Sequence, residues 1–406
     1  QQAEHFLKGA KPIEQPNAVP TWQSYITSTE TSQNAIKTAA YDSRNIWAEP
    51  DTCNHVAGIP ERPTALFDQW STEVCSKYPK ACSLFKKAFV DTWDNGITWL
   101  KDGSVFLVTG DIPLMWLRDS SAQVTHYLAL SEHSSIQRLI EGVLRRQMKW
   151  IELDVYGSAF RMFLDFDHVG KKRLTDWDFK CGRTIHVAQH DYEMDSLAYV
   201  VRLAYQYWKK TGRTCWMQNV QQTWHRIVDM WIHEQDHSKS AYTYPNLENN
   251  GKGTPVCKTG MSWAGARPSD DKMKYHYNIP GQLFAAKALE YMEEMSSLWS
   301  DDVLKQKALK LRREIIKGVE KYGVVDGVLA YETDGCGHHL MADDANIPSL
   351  LSLPYLDIHR PEYEKTRVNI LSSKNPWWSE GGVGSPHTNG RGHPWHLAMI
   401  MEGWDD

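Results

Sequence analysis

Four loop segments of this sequence gather carboxylates beside aromatic rings, a combination suited to binding sugars and to acid–base chemistry. The first, TGDIPLMWLRDS, contains Trp116, Arg118 and Asp119 just ahead of a predicted helix. Carboxylate acceptors and guanidinium donors match sugar hydroxyls, because each hydroxyl both donates and accepts hydrogen bonds. A helix cap with a neighbouring salt bridge explains the Arg–Asp pair equally well when this motif is taken alone.

The second loop, GMSWAGARPSDD, places Trp263 and Arg267 ahead of two adjacent carboxylates, Asp270 and Asp271. Two adjacent carboxylates usually point in different directions, so one can do chemistry while the other orients the substrate. An indole such as that of Trp263 can form an apolar wall that raises a carboxyl pKa, as a general acid near neutral pH requires. Capping of a helix by Ser269 and Asp270 is the structural alternative.

The third loop, YETDGCGHHLMADDAN, supplies the carboxylates Asp343 and Asp344. His338 and His339 together with an aspartate resemble a set of metal ligands. Adjacent histidines chelate one ion poorly unless the backbone bends sharply, so we expect no metal site here. Asp344 or Asn346 is instead predicted to cap the helix that follows.

The fourth loop, NPWWSEGGVGSPHT, contains Trp377, Trp378 and His387 and is followed by Trp395. Flat indole faces suit the C–H side of a pyranose, which makes carbohydrate the leading ligand class. Alternatively, the paired tryptophans hold the loop against the core.

Helical periodicity dominates the chain beyond the first 60 or so residues, and helices must therefore position these loops. The predicted helices are Ser83–Trp99, Ser120–Leu130, Ser134–Leu153, Tyr192–Lys210, Trp216–Gln235, Pro280–Trp299, Val303–Tyr322, Ile347–Leu356, Tyr363–Ser372 and Pro394–Glu402. Strand-like alternation is confined to Ser104–Thr109 and Val324–Tyr331. We predict an all-α fold, and helix pairs joined by long loops are typical of an (α/α)6 toroid. A closed ring of this kind needs about twelve helices, so we expect the toroid to lack its closing C-terminal hairpin.

Composition excludes several classes of protein. The 406 residues are 41% hydrophobic and carry a formal net charge of -5, which gives no basic field for nucleic acid. No apolar run is long enough for a membrane span, and we expect a monomer without a cofactor. The chain has 18 Trp and 18 Tyr but only 10 Phe, and helical spacing assigns Trp208, Trp224 and Trp231 to the core.

The seven cysteines leave the redox state open. A local bridge among Cys53, Cys75 and Cys82 is plausible, although free buried thiols are the simplest interpretation. We expect a secreted or extracellular protein, with a cytoplasmic one as the alternative. Because the chain starts at Gln1, we expect a processed chain or a fragment. Residues 1–60 are predicted to form an extended arm, and residues 61–406 a single catalytic domain.

Five collinear motifs in the chain carry a family resemblance. They are Thr109–Ser120, Met194–Tyr199, Gly260–Asp271, Tyr331–Gly335 with Asp343–Tyr355, and Gly382–Thr388. In these segments the chain resembles glycoside hydrolase family 125, the exo-α-1,6-mannosidases. The resemblance implies an (α/α)6 toroid and metal-independent, inverting hydrolysis of a terminal α-1,6-linked mannose. Mannans and N-glycan cores are the implied α-mannoside substrates.

The resemblance also implies residue roles. Asp270 matches the family's general acid, in the motif RPSDD. The predicted substrate-binding residues are Trp116, Arg118, Asp119, Trp263, Arg267, Asp271, Asp343, Asp344 and His387. The stretch before Met194 departs from the family pattern, which leaves contacts to the linked sugar open.

An inverting glycosidase needs a second carboxylate about 6.5–9.5 Å from the acid to activate water. In the family this base is a Glu in a Met-His-Glu-like motif beyond the Ser-Pro-His-Thr loop, and residues 1–406 contain no such motif. We therefore expect the base beyond residue 406, with the catalytic domain truncated at its C-terminus. A catalytically inactive mannose-binding homologue is the alternative function. An α/α-toroid enzyme with an Asp-rich metal motif is a weaker third possibility.

Overall fold

The computed structural model of the protein describes Cys53 and residues 58–100, 102–162, 186–217 and 220–395. The chain divides into two compact units, which are Gln1–Gln189 with Leu203–Val220 and His190–Arg202 with Gln221–Asp406. Apart from Cys53 and residues 58–60, the predicted arm lies outside the described residues, as does nearly all of the helix predicted at Pro394–Glu402. The single domain over residues 61–406 and the toroid stay predictions.

The first unit combines amphipathic helices with short antiparallel strands. Its elements are α1 Thr64–Lys77, α2 Cys82–Asp91, β1 Ile97–Trp99, β2 Val105–Leu107, β3 Leu114–Trp116, α3 Leu117–Thr125, α4 Ser134–Leu153, β4 Ala159–Arg161 and β5 Val187–Gln189. Single helical turns occur at Pro79–Ala81, Thr92–Gly96, His126–Leu130 and Cys215–Met217. Strand β1 pairs with β2, and β4 lies between β3 and β5.

Helix α4 begins and ends where the sequence predicts. Its first turn is capped by His133, whose Nδ1 accepts a hydrogen bond from the Ser135 amide at 3.2 Å. Apolar residues recur every three or four positions and are buried, so one face of the helix fills the core. Gly142 lets α4 approach β2 closely, because a Cβ at this position would lie 2.6 Å from a methyl group of Val105.

The second unit contains the Asp270 segment and most of the residues predicted for the site. Its elements are α5 Met194–Thr211, α6 Val220–His233, β6 Tyr277–Asn278, α7 Ile279–Met295, α8 Asp302–Tyr322, β7 Val324–Val325, β8 Val328–Leu329, β9 Glu332–Thr333, β10 His339–Leu340, α9 Tyr363–Ile370, β11 Trp378–Ser379 and β12 Gly382–Val383. Helix α5 belongs to this unit as far as Arg202. Short helical turns occur at Glu234–Lys239, Glu248–Gly251, Ser296–Trp299 and Pro386–Thr388.

Helices α7 and α8 form the packed hairpin of the second unit. The side chain of Asn278 caps α7 by accepting from the Gly281 amide at 2.9 Å, and Asp301 caps α8 by accepting from the Leu304 amide at 2.9 Å. Nearly all of α7 is buried, whereas α8 buries only one face. In α6, Trp224 and Trp231 are fully buried, as predicted.

One predicted helix is wrong. Residues 347–356 form successive turns instead of a helix. The side chains of Ser349 and Ser352 each accept a hydrogen bond from the backbone amide of the other, at 3.0 and 2.8 Å, and so compete with helical bonding. Pro348 and Pro354 also lack the amide hydrogen that a continuous helix uses. Neither Asp344 nor Asn346 therefore caps a helix.

The sequence also misplaces structure near the N-terminal end of the described part. The helix predicted at Ser83–Trp99 ends at Asp91, and the chain passes through one turn into β1. The β-branched pair Ile97 and Thr98 favours a strand there. Helix α1 was not predicted. The described residues are predominantly helical, but the short strands make a strictly all-α description too narrow.

Six of the seven cysteines are paired, so the interpretation as free thiols is wrong for these six. The disulfides are Cys53–Cys215, Cys75–Cys82 and Cys257–Cys336. Only Cys75–Cys82 is the local bridge that the sequence suggested. The other two join distant parts of the chain, a pairing that spacing alone does not reveal.

No helix within the described ranges has the length and apolar content needed to cross a lipid bilayer.

Removing the Cys257–Cys336 disulfide is expected to destabilise the protein more than removing Cys75–Cys82. The bridges span sequence separations of 79 and 7, and chain-entropy estimates give about 4 and about 2 kcal/mol respectively. Urea unfolding of the two paired Cys→Ala variants measures the difference. Equal midpoints, or reactive thiols at these positions in the unreduced protein, would contradict the assignment.

Candidate active site

The RPSDD segment forms a tight turn with Asp270 at its tip. The Asp270 amide donates to the Arg267 carbonyl at 3.0 Å, and the Arg267 amide donates to the Asp271 carbonyl at 2.8 Å. Proline at the second position favours such a turn. Asp270 has a φ of 65°, a left-handed conformation that aspartate tolerates better than most residues. No helix starts in this segment, so Ser269 and Asp270 are not a helix cap.

A buried ion pair anchors the base of the turn. The Arg267 side chain is only 6% exposed, and its Nε lies 2.5 Å from Oε1 of Glu332, which is fully buried. The guanidinium packs against the rings of Tyr331 and Trp377, at 5.5 and 5.3 Å from their centroids. Burial works against the charge, but Glu332 reverses this effect and keeps the pKa of Arg267 above its ordinary value.

Arg267 is therefore placed as an anchor of the turn, with little surface left for a sugar.

Glu332 makes further contacts with this segment, and Asn346, which is partly buried, also holds the turn. Oε2 of Glu332 accepts hydrogen bonds from the backbone amides of Lys274 and Tyr275, at 3.0 and 2.9 Å. Nδ2 of the Asn346 side chain donates to the Pro268 carbonyl oxygen at 2.6 Å. The backbone on both sides of Asp270 is thus fixed by polar groups from other segments of the second unit.

Asp343 and Asp344 lie beneath the site, and neither has accessible surface. Oδ1 of Asp343 accepts from the Ala345 amide at 2.8 Å, and its Oδ2 accepts from the Leu351 amide at 3.1 Å. Burial, reinforced by the charge of Asp344, raises the pKa of Asp343 to about 7. Burial also raises the pKa of Asp344, although the Arg267 cation opposes this shift. Arg267 thus interacts with Asp344 as well as with Glu332.

His387 approaches the site from the GVGSPHT segment. Its Nδ1 lies 3.8 Å from Oδ1 of Asp271, and its ring stacks on Trp395 with the centroids 5.8 Å apart. The Ser385 hydroxyl accepts from the His387 amide at 3.1 Å and fixes this short helical turn. Only glycine fits at position 384, because a Cβ there would lie 2.2 Å from the Gly390 carbonyl oxygen. The partly exposed His387 and Asp271 can both reach a ligand.

Trp263 lies in the core. Its ring is fully buried and stacks on His237, with centroids 3.5 Å apart, and on His276 at 4.9 Å. Burial lowers the pKa of His276 to about 4, so this imidazole is neutral at physiological pH. Because the ring has no exposed surface, it does not contact a sugar in this conformation, in contrast to the prediction of Trp263 as a substrate-binding residue. It supports the loop from within.

Three predicted site residues lie in the first unit. Trp116 is buried, and its indole Nε1 donates to Oε1 of Gln189 at 2.7 Å. Arg118 and Asp119 stand in the first turn of α3, with Arg118 Nε 3.6 Å from Asp119 Oδ2. The side-chain cap that the sequence suggested is absent from this helix start.

The two adjacent histidines do not converge on a metal position. Nδ1 of His338 lies 2.6 Å from Asp334, whereas Nε2 of His339 lies 3.0 Å from the carbonyl oxygen of Tyr322. Within the described ranges the one cluster with metal-ligand spacing is Cys53, Glu141 and Cys215, whose sulfurs are joined in a disulfide.

The sequence placed Glu332 and Asn346 in a candidate loop but did not reveal their contacts with the Asp270 turn. Glu332 stands in a motif that the sequence singled out, but its partner Arg267 is 65 residues away. A useful signal is a carboxylate directly after the apolar segment 328–331, because a charge that is buried with this segment needs a counter-charge.

Comparison with known proteins identifies the family. A model of the metal-independent alpha-mannosidases matches residues 78–405. A curated relative, the meiotically up-regulated gene 157 protein of Schizosaccharomyces pombe, is 32% identical over 370 residues, which cover 79% of this chain and 70% of the relative. A solved structure of a Streptococcus pneumoniae metal-independent alpha mannosidase, in a non-productive complex with alpha-1,6-mannobiose, matches with a TM-score of 0.79. It is 33% identical, and the match covers 84% of this chain and 85% of that chain.

These matches define a glycoside hydrolase with a carboxylate-rich site. The chain belongs to glycoside hydrolase family 125, the metal-independent α-mannosidases, as the motifs predicted.

Ionisation of Asp343 is expected to make stability depend on pH. Its pKa is about 7 in the folded protein and near 3.8 when unfolded, so folding favours the protonated form. Stability is therefore lost as pH rises through 7. Relative to Asp343→Asn, the wild type should lose about 2–3 kcal/mol between pH 5 and pH 8.

Urea unfolding of both proteins at the two pH values tests this expectation. Asp326→Asn, at an exposed position, is the control and should follow the wild type. A constant difference between wild type and Asp343→Asn across this range would show that Asp343 is already ionised when buried.

Proposed function

We propose that this protein is an exo-acting α-1,6-mannosidase that releases terminal mannose with inversion of configuration. Asp270 is the general acid in this proposal. The observation that carries it is the turn at Asp270, which other segments hold through hydrogen bonds. This turn presents a partly exposed carboxyl group above buried polar side chains. The α-1,6-mannobiose bound by the pneumococcal relative supports the choice of linkage.

The proposed step is a single displacement at the anomeric carbon. Asp270 gives its proton to the glycosidic oxygen, and the C1–O bond breaks with its electron pair going to that oxygen. Water adds to C1 from the opposite face while a second carboxylate accepts its proton. Mannose leaves with the β configuration.

Substrate contacts are proposed for the polar residues that retain exposed surface. Asp271 and His387 can hydrogen-bond to sugar hydroxyls. Arg118 and Asp119, which are described within the first unit, stay predicted sugar-binding residues. Asp343 and Asp344 have no exposed surface. Asp344 is proposed to support the turn electrostatically through Arg267, and Asp343 to act on Asp344.

We also propose that the protein works in an oxidising compartment. Three disulfides support this, because such bonds persist in secreted and extracellular proteins and are rare in the cytosol.

The complete natural protein is expected to release mannose from α-1,6-mannobiose, and proton NMR should detect the β anomer first. Asp270→Asn should lower kcat by at least about 100-fold while mannose still binds, because asparagine has a similar shape but cannot donate the catalytic proton. Asp326→Asn is the matched control, since Asp326 also has a positive φ of 50° and should tolerate asparagine.

Three outcomes would contradict the proposal. Retained turnover by Asp270→Asn would reject this residue as the acid, and first release of the α anomer would reject inversion. Mannoside binding without turnover by the complete wild-type protein would favour the inactive mannose-binding homologue.

A further inference from the structure

Glu332 is buried beneath the Asp270 turn, and three donors converge on its carboxylate. Oε1 accepts from Nε of Arg267, and Oε2 accepts from the backbone amides of Lys274 and Tyr275. The side chain has no exposed surface, so it does not touch substrate in this conformation. Its influence on chemistry must pass through the groups that it holds.

These donors stand on opposite sides of Asp270. Arg267 precedes Asp270 by three positions, whereas Lys274 and Tyr275 follow it by four and five. One carboxylate therefore ties together both ends of the segment that carries the proposed acid. A change at Glu332 frees both ends at once.

Glu332 is itself held by paired backbone. Glu332 lies in the central strand β9, where it is paired with Asn278 of β6 on one side and with Leu340 of β10 on the other. The Cys257–Cys336 disulfide joins the end of this sheet to the start of the loop that contains Asp270. The carboxylate is a fixed point from which the turn is positioned.

We propose that Glu332 is a positioning residue that aims the carboxyl group of Asp270 at the glycosidic oxygen. The inference deepens the proposed function and rests on it. A neutral amide cannot replace the carboxylate, because a glutamine has one acceptor oxygen and its NH2 group would face donors. The Glu332→Gln substitution would also leave the Arg267 cation buried without its counter-charge.

The test uses two substrates that differ in their need for an acid. The leaving group of α-1,6-mannobiose is the O6 oxygen of the second mannose, which must be protonated as it departs. The dinitrophenolate released from 2,4-dinitrophenyl α-mannoside needs no proton. A misplaced acid therefore slows the first reaction selectively. General structural damage slows both alike.

Glu332→Gln is expected to lower kcat on α-1,6-mannobiose by about 100-fold, with KM changed by less than about threefold. On the dinitrophenyl substrate kcat should fall by less than about threefold. Asp301→Asn is the matched control, because the Asp301 side chain is also largely buried and accepts a hydrogen bond from a backbone amide. Asp301 caps α8 and makes no hydrogen bond to the Asp270 turn among the residues that the structure describes. This control should lose stability while keeping both activities.

Equal losses by Glu332→Gln on the two substrates, or no loss on either, would overturn the positioning role while leaving the proposed function intact. A complete wild-type protein that hydrolyses neither substrate would overturn both. Should Glu332→Gln fail to fold, Glu332→Asp takes its place, because it keeps the charge and shortens the reach by one methylene. The same selective loss is then expected, and its absence would reject the role.

Discussion

The burial of Arg267 between Tyr331 and Trp377 is the constraint on which the candidate site depends. A buried guanidinium is tolerated only with a counter-charge and satisfied hydrogen bonds, and Glu332 supplies the charge at 2.5 Å. The pair fixes the base of a turn whose tip must adopt a left-handed conformation at Asp270. The position of one reactive carboxyl group thus follows from the solvation needs of another residue.

The Arg267 cation also influences the ionisation of a buried carboxylate near it. Asp343 and Asp344 are buried nearby, and burial raises the pKa of each; the charge of Asp344 adds to the shift at Asp343, whereas Arg267 opposes the shift at Asp344. Backbone amides of Ala345 and Leu351 offset part of this cost for Asp343. Glu332 and Asn346 supply the hydrogen bonds that hold the backbone of the turn above this polar interior.

The sequence predicted the parts of this molecule that arise from local rules. Helix α4 follows from its amphipathic pattern, and the proposed acid turn was found from a Pro-Ser-Asp-Asp segment flanked by Arg267. Segment 347–356 was misassigned because serine side chains replace helical bonds there.

Long-range pairing was the larger gap in prediction. Periodicity carries no signal for the bridge between Cys257 and Cys336, or for the bond between Arg267 and Glu332 across 65 positions. The prediction that Trp263 binds substrate failed for the same reason. The residue lies in a motif typical of sugar sites, but its ring stacks on His237 and His276, which lie outside that motif. Family membership was accessible from the sequence because it depends on ordered motifs and not on which residues meet.

The central claim is that Glu332 holds the Asp270 turn in place. Crystal structures of the wild type and of Glu332→Gln, solved in the same crystal form, test it most directly. If Glu332 positions the turn, the Asp270 carboxyl group differs in position by about 1 Å or more between the two structures, while α7 and α8 superpose unchanged. Coincident Asp270 positions in the two structures would contradict it.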